Sequence, residues 1–359
     1  MAANEAQADA RGGVDRRGMR TVSRLLGSSF TLLILVALTL AFTVLQGSRF
    51  ANPANAQDIA LNASQLVLLT VGVTFVIITG GIDLSVGSVL VLSAVVAAKL
   101  MVRLAGTPEQ VRNYEFPHQG LAITVGLAAG VLAGLGCGLV NGLLITRLRM
   151  PPFIVTLGTL GMALGTARLL TGGTTVPNVP QAVQLSLGLR ELVGFAVGSY
   201  RIRLTPPVLV AALVVIYASI LLGRTRFGRY TYAIGSNAAA ARKVGIDVDR
   251  HLLKIYGLSG LLAGIAGGFD LLRFGTASVG THDSDNLAAI SAAVIGGTSL
   301  FGGLGSVGGS VIGAFIPAVL RNGLVISHVK PFWQEVMIGA ILILAVYLDQ
   351  RRRRAEERM

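Results

Sequence analysis

This chain has little of what soluble enzymes are built from. It holds one cysteine, four histidines, 6% aromatic residues and only 13% charged ones. A single cysteine, Cys137, excludes an intramolecular disulfide and a cysteine-based metal site. The histidines are scattered, without zinc-ligand spacing. No G-x-x-x-x-G-K-[ST] phosphate loop occurs, and the glycine-rich "GGLGSVGG" at 302–309 lacks the lysine, so the chain is not its own ATPase. No nucleophile–base pair or cluster of acids stands out, which argues against catalysis, including chemistry on lipid-linked substrates. The charge content is about half the quarter or so typical of globular domains.

What fills the space is apolar. Of 359 residues 53% are hydrophobic and 46 are glycine, and the mean hydropathy is +0.70. Apolar runs near the length that crosses a bilayer core of about 30 Å recur along the chain. They lie at 25–45, 59–79, 83–100, 120–146, 153–170, 205–222, 253–272, 287–299, 303–322 and 334–348. The pattern predicts an all-α polytopic membrane protein of about ten transmembrane helices. The first run is longer than a signal-peptide core and is read as an uncleaved span; 287–299 is short enough to be a half-helix. Abundant small residues suit helices whose backbones approach closely in lipid. Three regions follow: a basic tail 1–24, a transmembrane domain 25–350, and a basic tail 351–359.

Lys and Arg outnumber Asp and Glu by 30 to 17. The basic residues cluster beside apolar runs, which points to membrane lipid and orientation rather than to nucleic acid. With the N-terminus inside, 19 of the 30 fall in 1–24, the turn "RLRMPP", the loop 223–254 and the C-terminal tail. Both termini are therefore expected in the cytoplasm. The outer segment 171–204, with Gly/Pro turn chemistry and then a semi-apolar stretch, is expected to carry an external amphipathic helix.

Two apolar regions are interrupted. "TGGIDLSVGSVLVLS" at 79–93 places Gly80, Gly81 and Asp83 before the small residues Ser85, Gly87 and Ser88. Glycine weakens a helix by about 1 kcal/mol relative to alanine, and a mid-helix aspartate costs about 2.5–3.5 kcal/mol on insertion scales. One reading is a tight turn near the cytoplasmic end of one span, with Asp83 capping the next helix. The other is a transport role, and the two are compatible. "VIGGTSLFGGLGSVGG" at 294–309 repeats the pattern, Gly296 and Gly297 matching Gly80 and Gly81, with Thr298 following. "NGLLIT" at 141–146 and "NGLVIS" at 322–327 match at a different offset, so a duplicated core is one account and chance similarity of glycine-rich sequence the other. Paired glycine breaks point to a transport pathway.

The loop 223–254 opens with three arginines. Asn237 is placed to cap a short helix through the alanines to Val244, ended by Gly245, with Arg242 and Lys243 near its C-terminus. It is either a stop-transfer loop that sets topology or a docking helix for a cytoplasmic partner.

Three blocks in order, "TGGIDLSVGSV", "TRFGRYTYAIGSNAAAARKVGI" and "AAVIGGTSLFGGLGSVGGSVIGA", resemble the permease subunits of bacterial ABC importers for monosaccharides, the ribose/xylose/galactose group. The similarity runs from about residue 59 to 350. It implies a second permease copy, homo- or heteromeric, in the membrane. It further implies two cytoplasmic ATP-binding subunits holding ATP and Mg, and a periplasmic or lipid-anchored sugar-binding protein. It makes Gly235–Ile246, including Asn237, Arg242, Lys243 and Gly245, the ATPase-coupling helix. It puts Gly80, Gly81, Asp83, Ser85, Gly296, Gly297 and Thr298 near the translocation pathway. The chain departs from that pattern at Ala238 and Ala239, where many members are acidic, leaving Arg242 and Lys243 as the available charges. It departs again at Asn286-Leu287-Ala288, where members often carry Glu-Leu-Asp and where Asp283 and Asp285 are candidates to compensate. The competing function is an ion-coupled secondary transporter, with Gly80–Asp83 as its first candidate ion site; no ionisable residue is evident near a span centre, because Asp83, Lys99, Arg168, Asp270, Arg273 and Arg321 all fall near predicted span ends.

Overall fold

The computed structural model describes residues 16–197, 200–282, 284–330 and a scatter of positions within 332–351. Most of the tail 1–24, Asp283, much of the expected span 334–348 and nearly all of the tail 351–359 lie outside the described residues.

Among the described residues eight helices are long and apolar enough to cross a membrane. They are α1 (Arg16–Gln46), α2 (Pro53–Ile78), α3 (Val86–Ala105), α5 (Gln119–Arg147), α6 (Pro152–Thr171), α7 (Pro206–Arg224), α10 (Val248–Phe274) and α12 (Val307–Ile326). Shorter helices complete the order: α4 (Pro108–Arg112), α8 (Arg226–Ser236), α9 (Ala238–Lys243) and α11 (Asp285–Ile295). Local chemistry sets the ends. Asn52 accepts from Asn55 N to cap α2, whose first residue is Pro53. Asp247 accepts from Arg250 N at the start of α10, and left-handed Gly275 ends it.

Two helices form the centre. The apolar windows of α2 and α10 are 83% and 78% buried, against 28%, 28% and 22% for α5, α6 and α7. The peripheral helices turn Leu132, Leu157, Met162, Leu169, Leu213 and Ile216 outward, the exposed apolar surface that a lipid-facing ring presents. The closest packing is α5 on α10, and its cause is readable in sequence. Gly126, Gly130, Gly134, Gly138 and Gly142 recur every four residues along one buried stripe of α5; the last three face α10, while Gly126 and Gly130 face Ala97 and Ser93 of α3. A Cβ at Gly134 would lie 2.5 Å from Gly260 O and 2.6 Å from Gly264 Cα, and one at Gly260 would lie 2.7 Å from Gly138 Cα. Small residues on both helices let the backbones touch.

The segment 287–299, short enough by sequence to be a half-helix, falls on the eleven-residue α11 (Asp285–Ile295), which Gly296 and Gly297 stop short of a full span. Two expectations are corrected here. Among its described residues, the segment 171–204, expected to lie outside, holds no amphipathic α-helix. It contains one π-helical turn, Val183–Gly188, and an antiparallel hairpin, β1 (Val193–Val197) with β2 (Tyr200–Leu204), in register Val193↔Leu204. The strands are rich in β-branched and aromatic residues, which favour extended backbone. The second correction concerns Asp83 and belongs with the site.

Candidate functional site

One end of the bundle carries the loop between α7 and α10. The Thr225 hydroxyl caps α8, and Asn237 both ends α8 and caps α9, its Oδ1 accepting from Ala240 N at 2.9 Å. Gly245, at φ +83°, turns the chain out of α9 as expected for a left-handed stop. Ile246 packs with Ile234, Ala241 and Val248, which fastens α9 to α8 and to the root of α10. Thr231 Oγ1 lies 2.9 Å from His251 Nε2, and the Phe227 ring stacks 4.5 Å from the His251 ring. The two basic residues differ in availability. Arg242 is paired with Asp249, so of the two charges expected to be free only Lys243 lacks an ion pair among the described residues. Ala238, Ala239 and Ala240 are exposed, and Val244 is 77% exposed, an apolar knob that the sequence reading passed over.

This loop rests on both glycine breaks at once. Gly303 N donates to Ile78 O at 2.8 Å, tying the second break to the end of α2. Tyr232 of α8 donates to Gly305 O at 2.7 Å. Gly235 fits between them because it has no side chain: a Cβ there would strike Ile78 O and lie 2.6 Å from Gly303 N. The matched glycine pairs play offset roles. Gly80 and Gly297 are open and at φ +80° and +89°, while Gly81 is crowded by the Tyr256 hydroxyl and Gly296 by the backbone of Gly309.

Past Gly80 the chain does not make a tight turn. Residues 81–85 run without helix into the bundle before α3 begins at Val86. Asp83 therefore does not cap α3. Its Oδ1 accepts from Ser85 N at 2.9 Å and Ser85 Oγ at 2.6 Å, and its Oδ2 from Ser259 Oγ at 2.8 Å. Ser259 is the twelfth residue of the 27 in α10, so Asp83, 2% exposed, sits against the middle of a central helix and not near a span end. The physical reason is hydrogen-bond supply: an extended segment at that depth is stable only if buried groups satisfy it. Asn141 and Thr156 do so, Asn141 donating to Ser85 Oγ at 3.0 Å and Thr156 Oγ1 to Ile82 O at 3.1 Å. On the other side of α2, Thr298 Oγ1 lies 3.2 Å from Ser310 Oγ, which takes a 2.8 Å bond from Thr74. Gly80, Gly81, Asp83 and Ser85 are thus linked to the Gly296–Thr298 segment through Ile78 and the 302–305 turn. None of the seven lines the cavity described next.

That cavity, about 490 Å³, lies toward the opposite end, between α2, α10, the 276–282 loop, the start of α11 and the end of α12. Asn62 and Gln65 come from α2, Asp270 and Arg273 from α10, Asp285 from α11, and Arg321 and Asn322 from α12. Four charges pair within it. The buried His282 ring donates from Nδ1 to Asp285 Oδ2 at 2.7 Å and from Nε2 to Asp270 Oδ1 at 3.0 Å. Arg321 Nη2 stands 3.7 Å from Asp285 Oδ1. Burial alone would hold His282 neutral, but the two carboxylates' hydrogen bonds and charges prevail and push its pKa up to about 10. Residues as far apart in sequence as Asn62 and Val325 converge here, and only Asp285, named as a compensating acid, gave a hint of it.

The chain, over residues 55–346, matches the family described as branched-chain amino acid transport system / permease component. It is 36% identical over 323 residues to the fructose import permease protein of Rhizobium meliloti, covering 89% of this chain and 84% of that one. It is 35% identical over 333 residues to the ribose import permease protein of Bacillus subtilis, covering 92% and 94%. Identity to the xylose transport system permease protein of Escherichia coli is 34% over 372 residues, covering 89% and 91%. No solved structure matches. An apolar helical bundle, glycine-broken segments and a family match spanning most of the sequence converge: the chain belongs to this family of transport-system permease components and is a multi-pass membrane protein, not an enzyme.

Proposed function

We propose that this chain is the membrane-spanning subunit of an ATP-driven importer that moves a monosaccharide across the cytoplasmic membrane by alternating access. A separate ATPase, holding ATP and Mg, supplies the energy. A second permease subunit and a periplasmic or lipid-anchored sugar-binding protein complete the system. The loop end, with its basic residues, faces the cytoplasm.

One observation carries the coupling: α8 and α9 stand on the junction of both breaks, through Gly235 against Ile78 and Gly303. A partner that grips the exposed Ala238, Ala239, Lys243 and Val244 and moves this loop acts on both segments together. Gly80, Gly81, Asp83, Ser85, Gly296, Gly297 and Thr298 then form the closed inner seal of the pathway, with the cavity as its outward chamber. Small residues and positive-φ glycines permit the two breaks to part without breaking a regular helix.

The family's description names branched-chain amino acids, yet relatives at 34–36% identity are import or transport permeases for fructose, ribose and xylose. The cavity favours sugar. An amino acid brings two opposite charges that require free counter-charges, whereas here the carboxylates are engaged by His282 and Arg321. The buried carboxylate of Asp83 supports one further reading, an ion-coupled carrier.

Purification in mild detergent tests the first, with an ATPase expected to accompany the chain and to be lost with Arg242→Glu plus Gly245→Pro. The complex is then reconstituted and offered labelled fructose, ribose, xylose and leucine. Uptake of a sugar that requires ATP hydrolysis is the expected result. Leucine uptake alone would overturn the substrate class. Sugar uptake without an ATPase, abolished by a protonophore, would establish the ion-coupled reading instead.

A further inference from the structure

We propose that the outward cavity is a binding site in this chain for a neutral polyhydroxylated ligand of monosaccharide size, read by the amide oxygens of Asn62 and Asn322. The inference rests on the permease reading and adds the residues that hold sugar on its way, apart from any separate binding protein.

The reasoning starts from what is left unpaired. Asn62 Oδ1 and Asn322 Oδ1 are buried, and among the described residues no group donates to either. Both side chains line the cavity, one from each of two facing helices, α2 and α12, while the two oxygens themselves have almost no accessible surface, so a ligand there meets them once the amides rotate toward it. A buried amide oxygen without a donor is unfavourable by about 1–3 kcal/mol, so two of them across one chamber call for a reason. Ordinary packing gives none, since leucine would fill the same volume without that penalty. A ligand that brings hydroxyl donors does. Gln65, one turn beyond Asn62 on α2, donates Nε2 to Ala266 O at 3.3 Å, which holds its amide in place on the cavity wall.

Charge narrows the ligand class. His282 gives both ring N–H groups to Asp270 and Asp285, and Arg321 stands beside Asp285. These four charges neutralise one another across the chamber wall, and the fifth charged group there, Arg273, lies with Cζ 4.5 Å over the Phe274 ring and can only donate, so the uncommitted acceptors are uncharged amides. Hydroxyls satisfy uncharged acceptors without importing a charge into the bundle, and the volume of about 490 Å³ falls within the range of small-molecule sites. Exposed Phe274 and Val325 stand at the cavity's edge, offering apolar contact to the C–H face of a sugar ring.

The test uses the full chain with its co-purifying ATPase. Cys137, the sole cysteine, is replaced by alanine, and a reporter cysteine is placed at Ser278 or, in parallel, at Thr281, both on the cavity wall. A small thiol reagent labels the reporter in the presence of saturating fructose, ribose, allose, galactose or xylose, or of leucine. The expected result is that the sugar the complex transports slows labelling several-fold and leucine does not. Adding Asn62→Leu with Asn322→Leu should abolish that protection and lower the maximal uptake rate about tenfold, while the melting temperature stays level or rises. A purely structural role for the two amides predicts the opposite, a fall in melting temperature. Transport without protection, or protection that survives the double leucine variant, would overturn this site and leave the permease reading standing. If the complex transports none of these sugars, the monosaccharide reading falls and the site with it.

Discussion

Replacing Gly134 by alanine should destabilise this protein, although alanine is the better helix former. The Cβ would arrive 2.5 Å from Gly260 O and 2.6 Å from Gly264 Cα, and both are backbone atoms of α10 that no rotamer change can clear. The helices must separate by about 0.5 Å before the first contact reaches 3.0 Å, and the same stripe holds Gly130, Gly138 and Gly142 against their neighbours. Overpacking of this kind is unfavourable by about 1–3 kcal/mol, and the intrinsic gain of alanine over glycine is at most about 1 kcal/mol. The clash therefore prevails. Gly158 on α6 is the control, since a Cβ there meets nothing within 4 Å; Gly158→Ala keeps only the propensity term and should be neutral or slightly stabilising. Cys137 supplies the assay, because it is the only thiol, lies one turn beyond Gly134 and is partly buried against the main core. A fluorogenic maleimide reports its exposure as the detergent-solubilised protein is heated. The expected order of melting temperature is Gly158→Ala at or above wild type, then Gly134→Ala, then Gly134→Val. Equal melting of Gly134→Ala and wild type would refute the close-packing argument.

Three further outcomes follow from particular contacts. Gly235→Ala should force α8 off Ile78 and the 303 turn, and sugar-stimulated uptake should fall further than ATPase retention on the column; unchanged uptake would remove Gly235 from the coupling path. Asp83→Leu leaves Ser85 N and Ser259 Oγ without an acceptor, each unfavourable by about 1–3 kcal/mol, whereas Asp83→Asn keeps one carbonyl-type oxygen. The leucine variant should lose far more monodisperse protein after heating, and parity between the two would count against the carboxylate as the tie of that break. His282, raised from 6.5 to about 10 in the folded state, stabilises fully below about 6.5, and that contribution declines until it is gone above about 10. The melting-temperature gap between wild type and His282→Gln should shrink across that window, and a gap independent of pH would refute the doubly paired imidazolium.

Much of the molecule was legible along the chain. Apolar runs announced the spans, Asn237 and Gly245 announced α9 with its ends, and the resemblance carried by three blocks led to the family. Asp83 was legible only as an anomaly. Its residue type fits a cap as well as a re-entrant tie, and the choice turns on Ser259, 176 positions away. The hairpin hid inside a stretch whose mixed pattern also suits a helix, since β1 and β2 are five residues each and short elements carry little periodicity.

By itself the sequence determined that the chain lies in a membrane, roughly where it crosses, where it breaks and which end is basic. Those are properties of contiguous residues, set by hydropathy, backbone freedom and local capping. Tertiary structure alone decided that α8 stands on both breaks, that Arg242 is engaged by Asp249, and that Asn62, Asp270, His282, Asp285, Arg321 and Asn322 share one chamber. Each of those depends on which helix faces which, and that is settled by packing glycine stripes and pairing buried polar groups across the bundle, over separations that no local pattern encodes.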